Sequence, residues 1–333
     1  VTAVFRAERV TAAHVLDEAR ELVRPALGEA VAGLHPWLAE MAAYSFGWGE
    51  GAEAGGKGVR QALALLGARA VGAGAAAGVP GAVAVELVHA FSLLHDDIMD
   101  GDETRRRRPA LWKAYGTGPA VLAGDALFAL AVGTLAEVPG GVRLLSGALA
   151  DLMRGQADDL LFASRPWTGP EAVTPEEYRV MAEGKTGALL GCALALGALL
   201  GGAPRPVADA LDRAGRHAGV AFQLADDVLG IWGRPEVTGK PVGGDLREGK
   251  RTYPVLAALA SPDGSRLRPL LGAPDRTAQA AALIEAAGGR AAALSEARAH
   301  MAAARTLLDG LPLEPGAAGE LHTLLDSLAE RER

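Results

Sequence analysis

Residues 92–112 read SLLHDDIMDGDETRRRRPALW, a segment that reverses its charge within a few positions. Asp96, Asp97 and Asp100 close an apolar run, and Arg105, Arg106, Arg107 and Arg108 follow them. On a helix, Asp96 and Asp100 share one face with Cβ atoms about 5–6 Å apart, where like charges repel. A hard cation between them removes that repulsion. Mg2+ suits the pattern, because it takes one or two carboxylates and completes its shell with water and phosphate oxygens. His89 lies two helical turns before Asp96, on nearly the same stripe. One such pair also occurs at ordinary solvated helix ends, but FQLADDVLGIWG (222–233) ends a second apolar stretch in Asp226 and Asp227. Lysines in AEGKTG and in TGKPVGGDLREGKRTYP add cations to the two acidic clusters, a combination that suits a phosphorylated ligand bridged by metal.

The elements that must hold these groups read as helices. Val15, Leu16, Ala19, Leu22 and Val23 follow the i, i+3, i+4, i+7 rule, and similar patterns recur through most of the chain. The 333 residues are 50% hydrophobic and only 5% aromatic, so alanine and leucine, the best helix formers, fill most apolar positions. No stretch shows sustained β-branched alternation, and no sheet is expected. Breaks at 49–58, 72–81, 163–175, 233–244 and 260–275 read as loops between helices. The expectation is one all-α domain over 1–333, a large helical bundle whose site is built in the core from facing helices.

Composition narrows the function classes. A net charge of −7 gives no global basic field, so no nucleic-acid partner is expected. Cys192 stands alone, which excludes an intrachain disulfide and argues for a small core residue. The most apolar segment, 188–203, is shorter than the roughly 18 or more apolar residues of a membrane span, so it reads as a buried core helix. VTAVFRAERV lacks the apolar core of a signal peptide. A cytoplasmic protein without stable membrane insertion is the expectation.

The ordered motifs GGKGVR (55–60), ELVHAFSLLHDDIMD with RRRRP (86–109), LAGDALFALA (122–131), GQADDL (155–160), GKTG (184–187), FQLADD (222–227) and GKPVGGDLREGKRTYP (239–254) resemble the trans-isoprenyl diphosphate synthases, the polyprenyl synthetase family. The resemblance runs over nearly the whole chain and is greatest to bacterial geranylgeranyl diphosphate synthases. It implies the all-α isoprenoid synthase fold with a deep central cavity, and head-to-tail condensation of isopentenyl diphosphate with an allylic diphosphate. It also implies about three Mg2+ ions per site, on Asp96 and Asp100 from one side and Asp226 from the other, with Asp97 and Asp227 in the same clusters. Arg105 would reach the allylic diphosphate; Arg106, Lys57, Arg60 and His89 would hold isopentenyl diphosphate. Lys185, Thr186, Gln223 and Lys240 would line the reacting centre, with Lys250 near the metal-bound diphosphate and Gln156 and Asp159 on the wall. A homodimer is implied by family alone.

Three positions depart from the pattern. Gly58 replaces an arginine of the first motif, Arg107 replaces a glycine after the arginine pair, and Gly230 stands where the second aspartate motif carries its last carboxylate. The last of these leaves Asp226 and Asp227, with Asp245 as support. In the resembling enzymes bulk just before the first aspartates acts as a floor for the growing tail. Phe91 followed by the small Ser92 matches the twenty-carbon pattern, with fifteen-carbon and longer products as alternatives. A non-catalytic partner subunit would lack first-motif aspartates that are present here. A terpene cyclase would have no use for the isopentenyl diphosphate set, and a Mg2+-dependent hydrolase needs water that an apolar lining excludes.

Overall fold

The computed structural model describes residues 10–48, 56, 58–234, 242–262 and 264–329. Lys57, Lys240 and the C-terminal ERER segment (330–333) lie outside the described residues. The fold is helical throughout, as expected: α1 (Ala12–Ala32), α2 (Pro36–Phe46), α3 (Val59–Ala70), α4 (Val79–Asp100), α5 (Leu111–Tyr115), α6 (Thr117–Thr134), α7 (Gly141–Ser164), α8 (Pro175–Ala182), α9 (Ala188–Leu200), α10 (Arg205–Trp232), α11 (Gly244–Glu248), α12 (Tyr253–Leu259), α13 (Gly264–Leu267), α14 (Thr277–Ala286), α15 (Gly289–Asp309) and α16 (Pro315–Ala329).

Helix α9 is the central rod. Its composition is almost all Ala, Leu and Gly, and every residue from Ala188 to Ala198 is buried. Glycine lets its neighbours approach closely: a Cβ at Gly197 would overlap the carbonyl oxygen of Ala64 on α3. Cys192 sits in this rod, 1% exposed, as a small core residue. Helix α10 buries one stripe, Ala208, Leu211, Gly215, Ala218, Ala221, Leu224 and Val228, against α9 and α15. Helix α16 is clamped to α3 by the Arg69–Glu320 fork, at 2.5 and 2.8 Å.

Two expectations about local structure need correction. Residues 104–109 form a minimal antiparallel hairpin, β1 (Thr104–Arg105) against β2 (Arg108–Pro109), where no sheet was expected; strands of two residues carry no alternation to read. The expected loops at 72–81 and 260–275 also contain helix: α4 starts at Val79 with Pro80 in its first turn, and α13 with a following 3-10 turn occupies 264–270.

Three helical runs are long and apolar enough to cross a membrane by length and composition. Two of them, Ala75–Asp100 and Pro175–Leu200, are mostly buried within the bundle. Thr117–Thr134, helix α6, is only 28% buried.

Candidate active site

Helix α4 carries the first acidic cluster to its C-terminal end. Gly101, in left-handed backbone (φ 70°), stops the helix and turns the chain into the hairpin. The register of β1 with β2 leaves only Arg106 and Arg107 in the turn, and both have positive φ (51° and 61°). Two-residue turns with positive φ at both positions match the twist of the flanking strands and normally take Asn or Gly. Here the turn folds Arg105 back onto the helix, where its Nε and Nη2 donate to Oδ1 of Asp97 at 2.6 and 2.5 Å. The hairpin is braced on α2: the Arg108 guanidinium stacks 4.1 Å from the centre of the Tyr44 ring, and Tyr44 Oη donates to the Pro109 carbonyl at 2.8 Å. A cavity of about 260 Å3 opens between α2, α4 and this hairpin, with Asp97, Arg105 and Arg106 in its wall.

At the α4 end Asp96 is half-buried and Asp100 is exposed. Burial raises the Asp96 carboxyl to about 6; Lys185 opposes the rise and Asp100 reinforces it. Lys185 lies in a single π-helical turn, Glu183–Gly187, that joins α8 to α9. Such π-bulges often mark functional sites, because they re-aim side chains without breaking the helix. The turn is pressed against α7: a Cβ at Gly155 would overlap the backbone nitrogen of Lys185. From it, Lys185 Nζ donates to Asp159 at 2.5 Å, and Thr186 Oγ1 donates to Gln223 at 2.8 Å. Burial works against the Lys185 charge, but Asp96 and Asp159 outweigh it and raise its pKa.

A cationic pocket lies beside this centre. Burial lowers the pKa of Arg60, with Glu86 and Asp226 opposing the shift. Burial, with Arg60, Arg106 and Arg105 adding to it, holds His89 well below the usual histidine range, so its imidazole is neutral at pH 7. Glu86, one turn before His89 on α4, is 9% exposed beneath these arginines. Its position sits inside the ELVHAFSLLHDDIMD motif, but burial of its carboxylate is not legible there.

The second cluster closes the site from α10. Asp226 is half-buried and acts on Arg60; Lys250 feels Asp245 and Asp100 together. Burial opposes the Lys250 charge, yet Glu248, Asp245 and Asp100 raise its pKa. Arg60 thus feels Glu86 of α4 and Asp226 of α10, and Lys250 feels Asp245 of α11 and Asp100 of α4.

Asp97 and Asp227 are buried beside their site neighbours. Each follows a site aspartate directly, so the helix turns it about 100° away from its neighbour's face. Asp97 is 1% exposed and holds Arg105. Asp227 is 3% exposed; Oδ2 accepts from the Tyr178 hydroxyl and from the Tyr253 backbone N–H, and Oδ1 accepts from Gln223 at 3.2 Å. Burial raises the Asp227 carboxyl to about 7, with Tyr178 and Tyr253 opposing. Both aspartates brace the site from behind. Tyr178 was missed by sequence reading, since a lone tyrosine behind a helix cap carries no signal of a partner 49 residues on.

Gln156 is 8% exposed with Nε2 buried and unbonded among the described residues, and Nε of Arg60 is in the same condition. Phe91, 8% exposed, packs edge-on to His95 at 5.3 Å and against Phe128 of α6 at 5.6 Å. Ser92 donates to the His89 carbonyl at 2.9 Å. Among the described residues no three His, Cys, Asp or Glu side chains enclose a metal site on their own.

Two acidic helix ends and a cationic pocket beside them sit in an all-helical frame. The sequence profile of polyprenyl synthetase matches residues 35–287. A (2E,6E)-farnesyl diphosphate synthase of Mycobacterium tuberculosis H37Rv is 43% identical over 96% of this chain and 93% of its own. A geranylgeranyl diphosphate synthase of the same strain is also 43% identical, over 83% and 82%. The crystal structure of a polyprenyl synthetase from Streptomyces coelicolor A3(2) superposes with a TM-score of 0.89 at 44% identity, covering 94% of this chain and 98% of its own. The chain belongs to the polyprenyl synthetase family. It is a prenyltransferase of the prenyl diphosphate synthase class.

Proposed function

We propose that the protein condenses isopentenyl diphosphate head-to-tail with allylic diphosphates and releases mainly geranylgeranyl diphosphate. The observation that carries the reaction is the pair Asp96 and Asp100 at the end of α4, with the cations Lys185 and Arg105 acting on Asp96. Carboxylates at i and i+4 are hard oxygen donors of the kind that fits Mg2+. Asp96, Asp100 and Asp226 would hold it, and it would supply neutralisation of the leaving diphosphate.

The chain's own groups do the remainder. Heterolysis of the allylic C–O bond leaves a carbocation and pyrophosphate, so cations aimed at the leaving group lower the barrier most. Arg105, held in place by Asp97, and Lys185, held by Asp159, are those cations. Arg60, Arg106 and neutral His89 would orient the second diphosphate, with its double bond toward the cation. The unbonded donors on Gln156 and Arg60 are ready for anionic oxygens. The Phe91 side of α4 keeps water away until the new bond forms and a proton leaves to pyrophosphate.

Phe91 packed on His95 and Phe128, with small Ser92 beside it, supports a floor suited to twenty carbons. Helix α6, apolar on all sides but with Val121, Leu122 and Phe128 exposed, supports a homodimer across that face. The test of the reaction is incorporation of labelled isopentenyl diphosphate with an allylic primer. Elongation with Mg2+, abolished by EDTA and restored by added Mg2+, is expected; equal turnover in EDTA would reject the reading.

A further inference from the structure

Lys250 and Arg251 stand side by side between α11 and α12 but are held in different ways. Helix α11 ends at Gly249 in left-handed backbone (φ 69°), and α12 starts at Tyr253. Lys250 stays with the acidic groups: Nζ lies 2.9 Å from Glu248 and 3.9 Å from Oδ1 of Asp245, and Asp100 of α4 acts on it as well. Burial lowers the Arg251 pKa, and no carboxylate among the described residues opposes the shift. A guanidinium partly buried without a counter-ion costs free energy, so its place here asks for a reason.

The reason is the Gly249–Lys250 peptide. Arg251 Nη1 donates to the Gly249 carbonyl at 2.7 Å, and the Lys250 N–H, on the other edge of the same peptide, donates to the Asp245 carbonyl at 2.9 Å. Glycine accepts either sign of φ, so without the first bond this peptide can flip at little cost and swing Lys250 with it. The guanidinium is fixed from the far side. Nη2 donates to the Arg165 carbonyl at 2.6 Å, and Cζ stacks 3.9 Å from the centre of the Trp167 ring. Arg165 is itself locked at the end of α7: its side chain donates to Glu177 of α8 at 2.8 Å and to the carbonyls of Glu171 and Ala172 at 2.7 and 3.0 Å. One guanidinium therefore ties the α7–α8 loop to the peptide that aims Lys250.

Resting on the function proposed above, with Lys250 beside the allylic diphosphate, we propose that Arg251 is the positioning residue for Lys250, which it aims by latching the Gly249–Lys250 peptide to the α7–α8 loop. Arg251 acts through Lys250 and not on substrate. Its loss weakens the grip on the allylic diphosphate and leaves isopentenyl diphosphate, held by Arg60, Arg106 and His89, undisturbed.

The test is calorimetric titration of inorganic pyrophosphate into the purified protein with Mg2+ or with EDTA, joined to steady-state kinetics. Wild type is compared with R251M and R251K, each alone and combined with K250M, and with K250M itself. R251M keeps an apolar stem over Trp167 and removes the donors; R251K keeps the charge but loses the fork that spans both carbonyls. Melting curves show which variants are folded, and the milder R251K makes the same comparison where R251M does not fold. R251M is expected to weaken Mg2+-dependent pyrophosphate binding about tenfold, and to raise KM for the allylic diphosphate to match, with KM for isopentenyl diphosphate within about twofold of wild type. R251K should lose about threefold. In the K250M background neither change at Arg251 should weaken binding further, the signature of coupled sites. If both Arg251 variants bind pyrophosphate like wild type, or weaken binding equally with and without Lys250, the Arg251 assignment is overturned and the proposed function stands. If wild type binds pyrophosphate equally with Mg2+ and with EDTA, the proposed function is overturned, and this assignment with it.

Discussion

Oδ1 of Asp97 accepts both Nε and Nη2 of Arg105, at 2.6 and 2.5 Å, joining the end of α4 to the hairpin that follows it. The carboxylate is 2% exposed and the guanidinium 35%, so the pair is anchored from the buried side. Replacing Asp97 with alanine leaves the arginine without its orienting partner. D97A is expected to raise KM for the allylic diphosphate about tenfold or more and to lower stability by about 1–3 kcal/mol. KM for isopentenyl diphosphate should change much less. Steady-state kinetics with each substrate varied in turn, together with urea denaturation, measures both; equal effects on the two KM values would contradict the role given to Arg105.

The turn at Arg106–Arg107 holds two non-glycine residues at positive φ. Left-handed backbone costs an L-residue about 1–2 kcal/mol, partly offset for glycine by its greater freedom when unfolded. R107G is therefore expected to stabilise the protein by about 0.5–1 kcal/mol with kcat within about twofold of wild type. R106G should relieve similar strain but raise KM for isopentenyl diphosphate. Denaturation midpoints separate the two effects.

Phe91 and Phe128 approach within 5.6 Å across the α4–α6 contact, and His95 closes the third side at 5.3 Å from Phe91. The proposed floor is made of these two rings from different helices, so it should yield when either is cut back. F91A and F128A are both expected to shift products beyond twenty carbons, and S92F to shift them toward fifteen. Chromatography of the dephosphorylated alcohols reads the shift. Unchanged products in F91A would remove Phe91 from the floor.

Glu177 caps α8 reciprocally with Thr174 and receives Arg165 at 2.8 Å. Arg165, with the Thr174 backbone N–H, holds its carboxyl down at about 2 from the usual 4.5. A depressed folded-state pKa stabilises above the unfolded value, and that contribution is lost as pH falls from about 4.5 toward 2. E177Q should therefore melt lower than wild type at pH 7, by a small margin of about 1 kcal/mol or less because the side chain is 42% exposed. The gap should close on acidification below pH 4.5. A gap that widens there would contradict the sign.

The helical fold was legible because alanine and leucine at helical spacing leave few other ways to bury the chain. The pairing of Asp96 with Asp100 is a local signal, i, i+4 spacing at the end of an apolar run, and the adjacent Asp226 and Asp227 are another, two carboxylates closing a second run. What sequence could not give was the direction of the neighbouring residues. Asp97 and Asp227 read as members of the same clusters, and only the helix rotation sends them to Arg105 and Tyr178. The π turn under Lys185 was also hidden, since nothing in AEGKTG marks a π turn, which shows only in its packing against Gly155. The reach of Arg251 to Trp167 and to the Arg165 carbonyl, 86 residues back, is a relation that no local pattern encodes. Lys57 and Lys240 lie outside the described residues, and their roles rest on sequence resemblance.

The most direct measurement is the product spectrum. Purified protein with Mg2+ and labelled isopentenyl diphosphate is offered dimethylallyl, geranyl and farnesyl diphosphate in separate reactions, and the dephosphorylated alcohols are separated by length. A dominant twenty-carbon alcohol from all three primers is the expected result. A folded protein that elongates none of them would contradict the account.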